Sequence, residues 1–313
     1  MSTQNLFKIS TAFALSLLVT SCVSSDRKRP SAEVRDVPLQ ARGATDPSLR
    51  KRIMVLPFLD ANPARDKEPT RAAREVLIRS LLKTENFVLV NPSDFPKDVN
   101  QFVKNGAYDF NEMSKIGDDL GLSAFIEGKV IDVKTRRLGD EVGLVRKLRL
   151  KVDATVQVRM VSTRNNQILL NEMRSSTIED TTTRVAQRAY GDRFLEQDPE
   201  LIEMAIAKGF LTFVPSFSQL LEKLSWEGRV ALIKGERIYL NAGRMSGLQV
   251  GDILKVMEDG EDVYDPETGA LIGRVPGRLK GTIEVVSYFG KDGSIGVVHS
   301  GSGFKENDVV ELY

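Results

Sequence analysis

From Lys147 to Met160 apolar and polar positions alternate without a break. Leu148, Leu150, Val152, Ala154, Val156, Val158 and Met160 share one face; Lys147, Arg149, Lys151, Asp153, Thr155, Gln157 and Arg159 share the other. A sustained period of two predicts a long strand with one face buried. "RNNQ" at 164–167 then reads as a turn, with "ILLNEMRSST" as the returning hairpin partner. Upstream the pattern differs. Ile53–Leu56 is a dense apolar run, as in a strand covered on both faces, and Asp60 to Lys67 reads as loop. "EPTRAAREVLIRSLLKT" places Ala72, Ala73, Val76, Leu77 and Leu81 at helical spacing. Phe87–Val90 is a short strand stopped by Asn91-Pro92, Met113–Leu120 a second helix closing at Gly121, and "SAFIEGKVIDVKTRR" a third strand. This order predicts an α/β (α+β) domain over 51–225, with a mixed sheet, right-handed crossovers and packed helices. Within it, residues 176–199 are polar and predict a mobile loop. "PELIEMAIAKGFLTFVPSFSQLLEKLSW" predicts a helical stretch, broken near Pro215, that packs on the sheet.

From Trp226 short strands and frequent glycines take over, which predicts a small all-β barrel domain over 226–313. It contains an echo: "GLQVGDILKV" (247–256) returns in outline as "GFKENDVVEL" (303–312). The shared outline predicts a tight turn that delivers the chain into a strand; chance similarity is the competing explanation for so short a match.

The first 50 residues follow other rules. Lys8 precedes a short, mostly apolar run, Ile9–Val19, too short to span a bilayer, which takes about 20 residues. Small residues follow, then the polar "VSSDRKRP", which is the layout of a secretory signal over 1–21. Cys22 is the single cysteine in the chain, and Val19, Thr20 and Ser21 before it resemble a bacterial lipobox. That resemblance implies lipidation of the Cys22 sulfur, cleavage before it and acylation of the new amine. With Val23 rather than aspartate next, it also implies retention at the outer membrane, on its periplasmic face. Several acyl chains, at about 0.8 kcal/mol per buried methylene, anchor durably. Residues 22–50 are charged, contain proline and are poor in large apolar residues, so they read as a flexible, lipidated tether.

Composition narrows the function. A cut before Cys22 leaves about 290 residues, enough for two ordinary cores, and no disulfide can help to hold them. Lys plus Arg (44) nearly equals Asp plus Glu (43), so no global field points to nucleic acid. Neither a Walker loop nor a dinucleotide-binding Gly motif nor a Gly-x-Ser-x-Gly elbow occurs. His299 is the single histidine, at the end of an expected barrel strand, which removes histidine-rich metal sites; a Ser–His–Asp triad would have to use it with an oriented acid and an exposed serine as well, so it reads as a partly exposed strand-end histidine. The acidic run "EDGEDVYDPETG" (258–269) lacks EF-hand spacing and reads as a solvated hairpin tip. Lys134, Arg136, Arg137, Arg146, Lys147, Arg149 and Lys151 gather around one hairpin without interleaved aromatics, as on a solvated sheet face or a subunit contact. No enzyme, cofactor, metal or small-molecule substrate is expected.

"RIMVLPFLDANP", "AAREVLIRSLLKTENFVLVNPSDF" and "GLSAFIEGKVIDV" resemble the opening of the curli-channel (CsgG-like) and TolB-N-like α/β family, over about residues 51–225. "GRVALIKGERIYLNAGRMSGLQVGDILKVM" and "KGTIEVVSYFGKDGSIGVVHSGSGFKENDVVEL" resemble the C-terminal domain of the flagellar assembly protein T (FlgT-like) family. That family is usually soluble and carries a further N-terminal domain, from which the lipobox and tether depart. The two resemblances imply three functions: a ring-forming scaffold lipoprotein of an envelope machine such as the flagellar basal body, a curli-type secretion pore, and a lipoprotein activator of a peptidoglycan synthase. A pore strand needs about 9–11 residues and aromatic girdles; the alternating segment has the length but no Trp or Tyr at either end, and the loop expected at 176–199 leaves no second hairpin. The scaffold, a homo-oligomer in contact with other envelope proteins, accommodates both domains.

Overall fold

The computed structural model describes residues 49–139, 145–185, 199–269 and 271–313. The expected signal, the lipobox residues Val19, Thr20 and Ser21, Cys22, and the tether up to residue 48 lie outside these. The first domain opens with β1 (Lys51–Val55) and the short β2 (Leu59–Asp60), followed by α1 (Glu68–Lys83) and β3 (Phe87–Leu89). A small hairpin, β4 (Val103–Lys104) and β5 (Ala107–Tyr108), leads to α2 (Phe110–Asp119). Three long strands follow: β6 (Ala124–Gly139), β7 (Val145–Ser162) and β8 (Ile168–Val185). The sheet order is β3-β1-β6-β7-β8, with β2 also beside β6. β3, β1 and β6 run parallel and β6, β7 and β8 antiparallel, so the sheet is mixed as the pattern predicted.

The alternation in β7 has the expected consequence. Val152, Ala154, Val156, Val158 and Met160 are buried in one core with Ala73, Leu77 and Leu81 of α1. The same core takes Ala205, Ile206 and Phe210 from α3 (Pro199–Leu211), Phe213, and Phe217 and Leu221 from α4 (Val214–Glu222). The break between α3 and α4 falls just before Pro215, which sits in the first turn of α4, where its missing N–H costs nothing. By length and composition Pro199–Glu222 could cross a membrane; here Ile206, Phe210, Phe213, Phe217 and Leu221 from it belong to the core, while Met204 is exposed. Gly209 lets α3 lie close on the sheet, since a Cβ there would stand 2.9 Å from Val156 Cγ2. A second core, on the other face of the sheet, joins Met54, Leu56, Phe125 and Val161 to Phe110 and Met113 of α2.

The mobile loop expected at 176–199 is corrected by β8. Residues 176–185 continue the strand and pair with β7 in register up to Val145↔Val185; the rest of that stretch, 186–198, lies outside the described residues. Polar side chains do not prevent a strand when one sheet face is solvated. Thr155 and Ser175 hydroxyls lie 2.9 Å apart, and Thr177 donates to Asp153 at 2.6 Å.

The second domain runs through β9 (Gly228–Lys234), β10 (Arg237–Leu240), β11 (Ile253–Met257), β12 (Glu261–Tyr264), β13 (Leu271–Val275), β14 (Leu279–Phe289), β15 (Gly293–Gly301) and β16 (Val309–Leu312). Six of these close a barrel in the order β10-β15-β14-β11-β16-β9, and β12–β13 form a separate hairpin. The echo is structural. Asp252 accepts the Gln249 amide and Asp308 the Lys305 amide, both at 2.7 Å, immediately before β11 and β16. Gly247 and Gly303 hold φ of 83° and 77°, and Gly251 and Asn307 hold 95° and 69°, so both turns use the same left-handed positions.

Candidate functional site

The most constructed polar region lies where the C-terminus of α2 meets the barrel. Asp109 caps the start of α2 by accepting the Asn111 amide at 3.1 Å. At its end Gly121, with φ of 69°, donates to the Asp118 carbonyl and Leu122 donates to that of Gly117, a Schellman stop. Asp118 and Asp119 therefore sit in the last turn, where the helix dipole disfavours carboxylates. The barrel supplies what offsets this. Arg229 of β9 donates through Nε to the Asp118 carbonyl at 3.2 Å and through Nη2 to its carboxylate at 2.6 Å. Asn241 Nδ2 donates to the Leu120 carbonyl at 3.1 Å, and Asn307 Nδ2 to the Asp119 carboxylate at 3.1 Å. The orphan carbonyls and acidic side chains at this helix end are thus satisfied from the neighbouring domain.

Four charges close the joint. Arg229, 4% exposed, also donates to Asp259 at 2.8 Å and to the Asn307 carbonyl at 3.0 Å. Arg274 of β13 pairs with Asp118 and, at 2.7 Å, with Asp259. Two arginines and two aspartates alternate, so each charge touches two of opposite sign. Burial alone would lower both arginine pKa values; attraction and hydrogen bonding to Asp118 and Asp259 outweigh it, and both are raised. For Glu227, beside the clamp, burial raises the pKa and favours the neutral form, and the Arg164 partner only partly opposes this.

A second strut joins β1 to the barrel. Arg52 donates to the Asn241 carbonyl and lies 4.0 Å from Asp292. Asp292 in turn accepts the Gly243 and Ser246 amides at 3.0 Å and the Ser246 hydroxyl at 2.6 Å. Burial lowers the Arg52 pKa, opposed by Asp292 and Asp94. The chain before β1 also touches the barrel: Leu49 packs on its core and the Arg50 amide donates to Ser246 at 3.0 Å. Beside the clamp a cleft of about 580 Å³ opens between α2, the β7–β8 turn and the β12–β13 hairpin.

The sequence-derived candidates fall as follows. Cys22 and its lipobox lie outside the described residues, as noted. The acidic run 258–269 is corrected in part: Asp259 belongs to the charge clamp, and Asp262 lies 3.8 Å from both Arg274 and Lys115. It is not simply a solvated tip. His299 is half-buried in β15. In the basic cluster, Lys134 pairs with Asp132 at 2.8 Å, Arg136 with Asp153 at 3.6 Å and Lys151 with Glu179 at 3.5 Å. These three cations thus have carboxylate partners on the sheet, a face the sequence reads as solvated or as a subunit contact; the side chains of Arg137, Arg146, Lys147 and Arg149 lie outside the described part. Sequence reasoning missed Asp118, Arg229 and Arg274. One signal was available: adjacent aspartates at a helix C-terminus break a local rule, and such breaks point to a partner elsewhere in the fold.

The fold joins a mixed α/β sheet flanked by helices to a closed six-stranded barrel in the C-terminal region. The chain belongs to the CsgG family: residues 37–247 match the family described as curli production assembly/transport component CsgG. Curated protein sequences give no match. Among solved structures, the hypothetical protein CT253 from Chlamydia trachomatis is 14% identical, with TM-score 0.36, covering 55% of this chain and 98% of that one. Lipoprotein GNA1162 from Neisseria meningitidis is 16% identical, with TM-score 0.28, covering 42% and 84%. The LpoB C-terminal domain from Salmonella enterica is 13% identical, with TM-score 0.25, covering 44% and 87%. At these scores the likenesses carry no further weight.

Proposed function

We propose that this protein is a non-enzymatic lipoprotein of the bacterial envelope. It is anchored through Cys22 to the periplasmic face of the outer membrane and serves as a ring-forming scaffold subunit of an envelope machine. The FlgT-like sequence of the barrel favours the flagellar basal body as that machine. The observation that carries the reading is the clamp. The most elaborate polar cluster among the described residues pairs its charges with one another and joins the α/β part to the barrel. A joint of this kind suits a subunit that must hold shape.

A secretion-pore subunit is the second reading. It is favoured by the pairing of β7 with β8 as far as Val145 and Val185, which gives strands longer than the 9–11 residues a bilayer requires. Against it, the aliphatic face of β7 from Val152 to Met160 is buried in a core shared with helices α1, α3 and α4. The test is metabolic labelling with a clickable fatty acid, followed by mass measurement of the detergent-extracted complex. Labelled wild type, unlabelled Cys22→Ser protein in the soluble periplasmic fraction, and a discrete oligomer without conductance steps in planar bilayers support the scaffold. Label kept on the serine variant removes the anchor, and conductance steps make the pore the better answer.

A further inference from the structure

The cleft beside the clamp has a chemistry of its own. Its volume, about 580 Å³, falls in the range of small-molecule sites. Its walls are not the apolar ones such sites usually have. Asn111, Ser114 and Lys115 come from one face of α2, Asn166 from the β7–β8 turn, and Asp262 and Tyr264 from β12.

Charge selects against ions. Lys115, Arg164 and Arg274 are matched in the lining by Asp118, Asp119 and Asp262. Each cation already has a carboxylate: Asp262 for Lys115, Glu227 for Arg164, Asp118 for Arg274. An apolar occupant would strip water from amides and hydroxyls without replacing their hydrogen bonds, which is unfavourable for each group. A neutral ligand that both donates and accepts meets neither objection.

The polar groups are already oriented. Ser114 Oγ donates to Asn166 Oδ1 at 3.1 Å, and Asn166 Nδ2 donates to Asn111 Oδ1 at 3.0 Å. Tyr264 is 46% exposed, yet its hydroxyl is fixed: it accepts from Lys115 Nζ at 3.1 Å and donates to Asp262 at 3.2 Å. An exposed aromatic ring with a pinned edge is a flat platform whose ordering cost is met before any ligand arrives. One ligand class presents hydroxyls along its rim and C–H groups on its faces: the sugar ring. We propose that the cleft binds a short neutral oligosaccharide, one ring stacked on Tyr264 and its hydroxyls exchanging hydrogen bonds with the Asn111–Ser114–Asn166 row.

The experiment uses the full-length chain in a detergent without a sugar headgroup. Chitotriose and maltotriose are titrated separately, by saturation-transfer NMR and by calorimetry. Transfer to the ring C–H protons of at least one trisaccharide is expected. Tyr264→Ala weakens that binding about tenfold, the upper end for an aromatic contact, whereas Tyr264→Phe, which keeps the ring, stays within about threefold of wild type. Asn111→Ala, at an exposed position, weakens binding with an unchanged melting temperature and covers the case of a Tyr264→Ala protein that melts early. Silence from both sugars overturns the proposal. So does equal binding by wild type, Tyr264→Ala and Asn111→Ala, and so does displacement of the sugar by inorganic phosphate, which would make this a site for charged ligands.

Discussion

Replacing Arg229 by Met tests the joint most directly. The change keeps much of the side-chain volume and removes one charge from a balanced set of four. What remains is Asp118 and Asp259 sharing Arg274 alone, with the Asp118 and Asn307 carbonyls losing a donor. Removing one partner of a buried pair costs about 3–5 kcal/mol, because the charge left behind stays buried. For a body of this size that corresponds to a fall in Tm of about 6–20 °C. Asp118→Asn leaves the opposite imbalance and should cost a similar amount. The double variant restores neutrality, since Arg274 and Asp259 remain paired at 2.7 Å. It should therefore cost less than the sum of the singles, by about 1–3 kcal/mol. Trp226, the single tryptophan, is 7% exposed near the joint, so its fluorescence in urea reports the relevant transition. Lys97→Ala serves as a control, because its partner Glu112 is more than half exposed and the pair is worth at most about 1 kcal/mol. An Arg229→Met protein within about 1 kcal/mol of wild type, or strict additivity in the double variant, would refute the claim that the clamp acts as one unit.

Three further outcomes are expected. Val156→Asp places a carboxylate under α3 in the main core, at a cost of several kcal/mol, comparable to a domain's whole stability; circular dichroism should show an unfolded α/β domain, and a folded but unassembled protein would favour the pore. Glu227 holds its proton more tightly in the folded chain than in the unfolded one, so its stabilising contribution is full below the ordinary glutamate pKa and is lost as pH rises through the folded value; Tm of wild type should fall relative to Glu227→Gln as pH rises above the ordinary glutamate range, and parallel curves would contradict the burial argument. A 226–313 fragment should melt cooperatively as an all-β protein but below the intact chain, because Arg229 loses Asp118 and Leu49 no longer covers the barrel core; a disordered fragment would place the domain boundary elsewhere.

Periodicity made much of the sheet readable. The β7 alternation, the dense run at Ile53–Leu56 and the helical spacing in α1 each follow from one local rule, and burial obeys all three. Residues 176–185 form strand rather than the expected loop because polarity alone does not mark a loop. On a strand with a solvated face, serine and threonine bond across to neighbours such as Thr155 and Asp153, and polarity then says nothing about regularity. The clamp was illegible for a different reason. Asp118 and Arg229 are far apart in sequence, and no local pattern in "GRVALIK" says that its arginine meets a helix end. The barrel echo lies between these extremes: its spacing was visible, while the shared Asp-to-amide bond that explains it needed coordinates.

The contact of Leu49 and Arg50 with the barrel has a mechanical consequence. Tension arriving along the chain from its N-terminal side meets the barrel before it meets the sheet, because Leu49 is seated on the barrel core and Arg50 is bonded to Ser246 ahead of the first residue of β1. The load then divides between this strap, the Arg52 strut and the Arg229 clamp, which act side by side. Bonds pulled in parallel share a force that bonds opened one after another would each bear in full. A chain wired in this way can be tugged from its N-terminal end without β1 being peeled from its neighbours first.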